Sequence, residues 1–132
     1  MPLRVKAVST RQPPLVCIID DDASVLKAFA RLLRAAGFEP RTYQSPDAFL
    51  GEFESGGPAC LILDVLMPAW MDVQAHEKLK ACAVNVPIIA VSGWEGVEAR
   101  VHANALGAKY FLRKPVDDEV LLATIAAAIQ SS

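Results

Sequence analysis

Short apolar runs alternate with amphipathic stretches along this chain. The purest runs are Leu15-Val16-Cys17-Ile18-Ile19, Leu61-Ile62-Leu63 and Ile88-Ile89-Ala90-Val91. Runs of this length, bounded by turn residues, predict strands buried on both faces. Two weaker segments, 40–43 and 109–113, complete a set of strands, and Pro40 marks the first of these as an edge strand.

Between the runs the apolar period lengthens to that of a helix. Residues 23–36 place Val25, Phe29, Leu32, Leu33 and Ala36 on one face, with Gly37 suited to the C-terminal cap. Ser45-Pro46-Asp47 has the order of a helix start: a capping hydroxyl, a proline in the first turn, then an acid. Phe49, Leu50 and Phe53 are expected to face the core, and Gly56-Gly57-Pro58 ends that helix. A third helix is predicted over 73–82. A fourth, over 95–106, is the least apolar and contains His102 and Asn104, with Gly107 past its end. Asp117-Asp118-Glu119 opens the last helix with charges that complement its dipole. Val120, Leu121, Thr124, Ile125, Ala128 and Ile129 give its stripe.

Strand and helix thus alternate five times. That alternation predicts a single parallel sheet with helices on both faces. The domain is expected to span residues 15–130. Residues 1–14 are polar and basic, end in Pro13-Pro14, and are expected to form a flexible arm carrying Arg4, Lys6 and Arg11.

Composition narrows the function. With 132 residues, 53% hydrophobic and 21% charged, the chain has enough apolar material for one full core. A net charge of −2 gives no strong attraction to nucleic acid or an anionic membrane. No apolar run approaches a membrane span, and the N-terminus lacks an apolar signal core. Cys17, Cys60 and Cys82 have no metal-ligand spacing, and Cys17 and Cys60 lie in strands as buried thiols. This usage fits a reducing cytoplasm.

The candidate chemistry lies where the strands end. The first ends in Asp20-Asp21, the third in Asp64, the fourth in Ser92 and the fifth in Lys114. In a parallel sheet these ends share one edge, where open α/β folds bind ligands. Carboxylates so close repel: two charges ~4 Å apart cost about 4 kcal/mol at an effective dielectric near 20. A cation must offset this, either Lys114 or a bound divalent ion, and an all-oxygen site favours Mg²⁺ or Mn²⁺. Asp64 has the chemistry of a carboxylate nucleophile toward a phosphoryl group. Taken singly, each residue has a plainer role: Asp22 as a helix cap, Ser92 as a turn residue, Lys114 as a solvated lysine, Asp64 as a loop carboxylate.

Together, Ile18-Ile19-Asp20-Asp21-Asp22, Leu63-Asp64-Val65-Leu66-Met67-Pro68, Val91-Ser92-Gly93 and Lys114-Pro115 resemble the response-regulator receiver domain of two-component signalling. Ser45-Pro46-Asp47-Ala48-Phe49-Leu50 adds similarity to the nitrogen-fixation regulator branch. The resemblance covers about 15–129. It implies a flavodoxin-like, doubly wound, five-stranded parallel sheet of order 2-1-3-4-5 with five helices. It also implies a non-enzymatic switch: Asp64 accepts a phosphoryl group from a histidine kinase and the domain changes conformation to control an output partner. By the same resemblance, Asp20, Asp21, Asp64 and the carbonyl of Leu66 hold Mg²⁺. Ser92 bonds the phosphoryl group, Lys114 pairs with it, Lys114-Pro115 is cis, and Ser92 with Phe111 forms the switch. Further expectations are an output protein or a C-terminal output domain beyond this chain, and a phosphorylation-dependent homodimer.

One departure stands out. In Ala69-Trp70-Met71-Asp72-Val73, Asp72 occupies a position where the family usually has glycine. Trp70 is expected to be exposed beside the site, placed to pack on a partner or on the next helix. Two other functions compete. A haloacid-dehalogenase-like phosphatase would use Asp20 as nucleophile, with Asp20-Asp21-Asp22-Ala23-Ser24 as its first motif and Asp64 idle. A receiver-like binding module would not be phosphorylated at all.

Overall fold

The computed structural model describes residues 12–52, 57–71, 73–82, 85–93 and 97–131. In order the chain forms β1 (Leu15–Ile19), α1 (Ala23–Ala35), β2 (Glu39–Tyr43), α2 (Pro46–Leu50) and β3 (Cys60–Asp64). A 3₁₀ turn (Pro68–Met71), α3 (Val73–Cys82), β4 (Ile88–Ser92), α4 (Val97–Ala105), β5 (Tyr110–Arg113) and α5 (Asp118–Ser131) follow. The strands form one parallel sheet of order β2-β1-β3-β4-β5. The proline-bearing strand is at the edge, as its missing donor requires.

The sheet is buried on both faces because alternate residues of each inner strand enter different cores. Cys17, Ile19, Leu61, Leu63, Ile88 and Ala90 pack with Phe49 of α2, Ala75 and Leu79 of α3, and Ala103 of α4. Val16, Ile18, Cys60, Ile62, Ile89 and Val91 pack with Leu26 and Leu33 of α1 and with Leu121, Ile125 and Ala128 of α5. Cys17 and Cys60 are thus buried thiols in different layers, and burial pushes the Cys60 thiol up to about 12.

The helix ends follow the local chemistry. Asp22 caps α1: its Oδ1 accepts from the Ser24 amide at 2.9 Å and from the Ser24 hydroxyl at 2.7 Å. Ser45 Oγ accepts from the Ala48 amide at 3.2 Å, with Pro46 in the first turn of α2. Gly37 and Gly107 adopt φ of 95° and 89° just past α1 and α4, a region closed to most side chains.

Three expectations need correction. The buried residues of α1 are Leu26 and Leu33, whereas Val25 is half-buried and Ala36 exposed. Leu33 lies in the core as expected, with Phe29 and Leu32 packed against it, and Leu26 rather than Val25 fills the N-terminal end of the face. In α5, Val120 is exposed, because the buried stripe runs through its neighbour Leu121 and on to Ile125 and Ala128. Trp70 is not exposed beside the site: it is 1% exposed, in the core cluster that also holds Ala75 and Leu79 of α3, the next helix. Phe53, Asp72 and residues 1–11 of the expected arm lie outside the described residues.

Candidate functional site

β1, β3 and β5 are each followed by a residue whose amide bonds to the neighbouring strand. The Asp20 amide donates to the Tyr43 carbonyl at 3.0 Å, Val65 to Val91 at 3.2 Å, and Lys114 to Ser92 at 2.8 Å. These bonds extend the sheet by one residue and hold Asp20, Asp64, Ser92 and Lys114 along a single edge.

Asp20 is 1% exposed, the most deeply buried carboxylate at this edge, while Asp64 is half-buried and Asp21 exposed. One oxygen from each of the three lies within 4.8 Å of the others. Lys114 reaches across the edge: its Nζ donates to Asp20 Oδ2 at 2.7 Å and to Asp64 Oδ2 at 3.1 Å. The other oxygens are held by the backbone. Asp20 Oδ1 accepts from the Asp22 amide at 2.9 Å, and Asp64 Oδ1 accepts from the Leu66 amide at 3.0 Å. Ser92 is fully buried at the end of β4. The Lys114-Pro115 bond is cis.

The electrostatics follow from burial against pairing. Burial raises the pKa of Asp20 above the ordinary carboxylate value, opposed by the hydrogen bond from Lys114 and that from the Asp22 amide. For Lys114, burial acts to lower the pKa but is outweighed by the Asp20 hydrogen bond and the charge of Asp64, so the net shift is upward. One ammonium cannot neutralise three carboxylates. The donor set is all oxygen, and the exposed Asp21 leaves one side open to water. Such a set fits a hard, partly hydrated divalent ion such as Mg²⁺.

The sequence brought most of these groups together correctly, but missed two contacts. Trp70 Nε1 donates to the Asp64 carbonyl at 2.9 Å, anchoring the loop after β3 in the core. The guanidinium carbon of Arg100 lies 4.7 Å from the ring centre of Phe111. Phe111 itself is half-buried on β5, packed against the α2–α4 side of the sheet.

The chain matches the family described as response regulator receiver domain over residues 16–126. The chain belongs to that family. It is 35% identical over 116 residues to the response regulator protein TodT of Pseudomonas putida, covering 88% of this chain and 51% of that protein. It is 33% identical over 117 residues to the transcriptional regulatory protein FixJ of Bradyrhizobium diazoefficiens, covering 89% and 57%. This chain therefore spans about half the length of the curated relatives it matches. A response regulator receiver protein from Burkholderia phymatum, 38% identical, superposes with a TM-score of 0.74 over 89% of this chain and 95% of that one. A receiver from Methanospirillum hungatei, 23% identical, gives a TM-score of 0.76 over 90% and 95%, which supports the fold.

As a receiver domain, the chain is a signalling module of two-component systems. The phosphatase alternative finds no support. Asp22 is engaged in capping α1, Asp20 is buried and ion-paired, and Asp117 Oδ1 accepts from the Glu119 amide at the start of α5. No helix among the described residues is long and apolar enough to cross a membrane.

Proposed function

We propose that Asp64 is the phosphoacceptor of this receiver, and that residues 15–130 form its working unit. The observation that carries the reading is the position of Asp64 at the end of a central strand, sharing Lys114 with the buried Asp20. An oxygen of Asp64 attacks the phosphorus of a phosphohistidine on a histidine kinase. The O–P bond forms as the N–P bond breaks, and the departing imidazole takes up a proton from solvent. The chain acts here as the substrate of phosphoryl transfer and as a switch rather than as an enzyme.

The residues divide the work. The Leu66 amide holds Asp64 Oδ1 and so fixes the carboxylate plane. Lys114 neutralises oxygens of the incoming phosphoryl group. Ser92 provides a hydroxyl to one of those oxygens. Asp20, Asp21, Asp64 and the carbonyl of Leu66 would hold Mg²⁺, which when bound offsets carboxylate repulsion and phosphoryl charge.

Phosphorylation adds roughly −1.5 to −2 charge, by analogy with other phospho-residues. Ser92 moves toward it, and Phe111 turns into the space behind β4. Turning Phe111 breaks its contact with Arg100, so the α4–β5–α5 face changes shape. That face then meets an output protein, an output domain beyond this chain, or a second copy of the receiver. Membership of the receiver family supports this reading of a histidine kinase as donor, an output partner and a cytoplasmic location. Labelling with acetyl phosphate and Mg²⁺, with the modified residue mapped, tests the reading.

A further inference from the structure

Two imidazoles meet away from the acid site. His76 on α3 and His102 on α4 are the only histidines of the chain. Their ring centroids lie 6.0 Å apart with an interplanar angle of 72°. Both residues are half-buried. Nε2 of His102 is shielded from solvent and has no hydrogen-bond partner among the described residues. A buried nitrogen left unpaired is costly and calls for a ligand.

We propose that His76 and His102 form a second metal site, which takes a borderline divalent ion of the zinc class and ties α3 to α4. Zn–N bonds are about 2.0–2.1 Å, so two imidazoles sharing one ion hold their centroids roughly 5–6 Å apart. The observed spacing needs little movement to reach that range. Imidazole nitrogens suit zinc, copper and nickel, whereas the all-oxygen acid site suits magnesium. The two sites therefore sort ions by donor chemistry. A histidine ligand must be neutral. Burial, then the neighbouring His76, disfavours the charged form of His102. Among the described residues no third His, Cys or carboxylate joins the pair as tightly as the three aspartates join one another. Water accordingly completes the coordination, and the affinity is that of a two-imidazole site.

The test uses untagged wild-type protein near pH 7.5 with excess Mg²⁺ to occupy the acid site. Zn²⁺ is titrated while the imidazole resonances are followed by NMR, where two histidines give two sets of signals. Both sets should respond together and saturate at one equivalent. By calorimetry, His76→Ala and His102→Ala should each weaken Zn²⁺ binding at least tenfold, and Asp64→Asn should not. A response from one imidazole or from neither overturns the site. So does Zn²⁺ binding that survives both histidine changes but is lost in Asp64→Asn. The wild-type NMR result stands even if a variant fails to fold.

Discussion

The indole Nε1 of Trp70 donates to the backbone carbonyl of Asp64 at 2.9 Å, so a buried aromatic of the loop is clamped to the residue proposed to carry the phosphoryl group. Trp70→Phe keeps most of the apolar volume and removes this bond. It should destabilise the fold by about 1–2 kcal/mol, a lost hydrogen bond plus a small packing defect. Urea unfolding checks this. An unchanged midpoint would mean that the bond contributes nothing.

Lys114 stands between two carboxylates and supplies their only ammonium contact among the described residues. Lys114→Met leaves Asp20 buried beside a like charge. The change should destabilise the Mg²⁺-free protein by ~1–3 kcal/mol, less than for a fully buried pair because Lys114 is partly exposed. Millimolar Mg²⁺ should recover more stability in the variant than in the wild type, since a cation then replaces the lost charge. Thermal unfolding with and without Mg²⁺ measures both effects.

Asp21 is the exposed member of the acid group. Asp21→Asn removes one charge from a hydrated ion and should lower Mg²⁺ affinity about tenfold, ~1.4 kcal/mol. Trp70 gives the optical readout in a Trp94→Phe background. Equal affinities would remove Asp21 from the metal set.

His102 titrates below its ordinary value because burial, and then His76, disfavour its charged form. The folded protein therefore binds fewer protons than the unfolded chain in this range, and stability rises with pH. The contribution of His102 is fully present above the unfolded value near 6.5 and is lost as pH falls below it. Unfolding free energies at pH 7.5 and 5.5 should differ more for the wild type than for His102→Gln. Comparing the two proteins isolates this group from the carboxylates.

The layer architecture was legible because the inner strands are continuous apolar runs and the strand-end residues fall in a fixed order. What the sequence hid were matters of orientation. Val25 and Leu26 are apolar neighbours, so the pattern alone did not decide which of them enters the core beside Leu33. An indole can project outward or fold inward, and the bond to the Asp64 carbonyl that decides for Trp70 depends on the loop backbone. His76 and His102 stand 26 positions apart on helices whose packing periodicity does not reveal. Arg100 over Phe111 is likewise a contact between a helix and a strand that only the assembled fold creates.

If Phe111 moves on activation, the Arg100 contact must break. Beryllofluoride with Mg²⁺ should therefore change amide exchange across residues 97–113 as well as in the loops around Asp64. Changes confined to the loops would rule out this route to the output face.

The central claim is that Asp64 accepts the phosphoryl group. Its most direct test is incubation with acetyl phosphate and Mg²⁺, followed by peptide mapping after reductive trapping of the acyl phosphate. The account predicts one phosphoryl group per chain, located at Asp64 and absent from Asp64→Asn. Label on Asp20, label that survives Asp64→Asn, or no label on the wild type would contradict it.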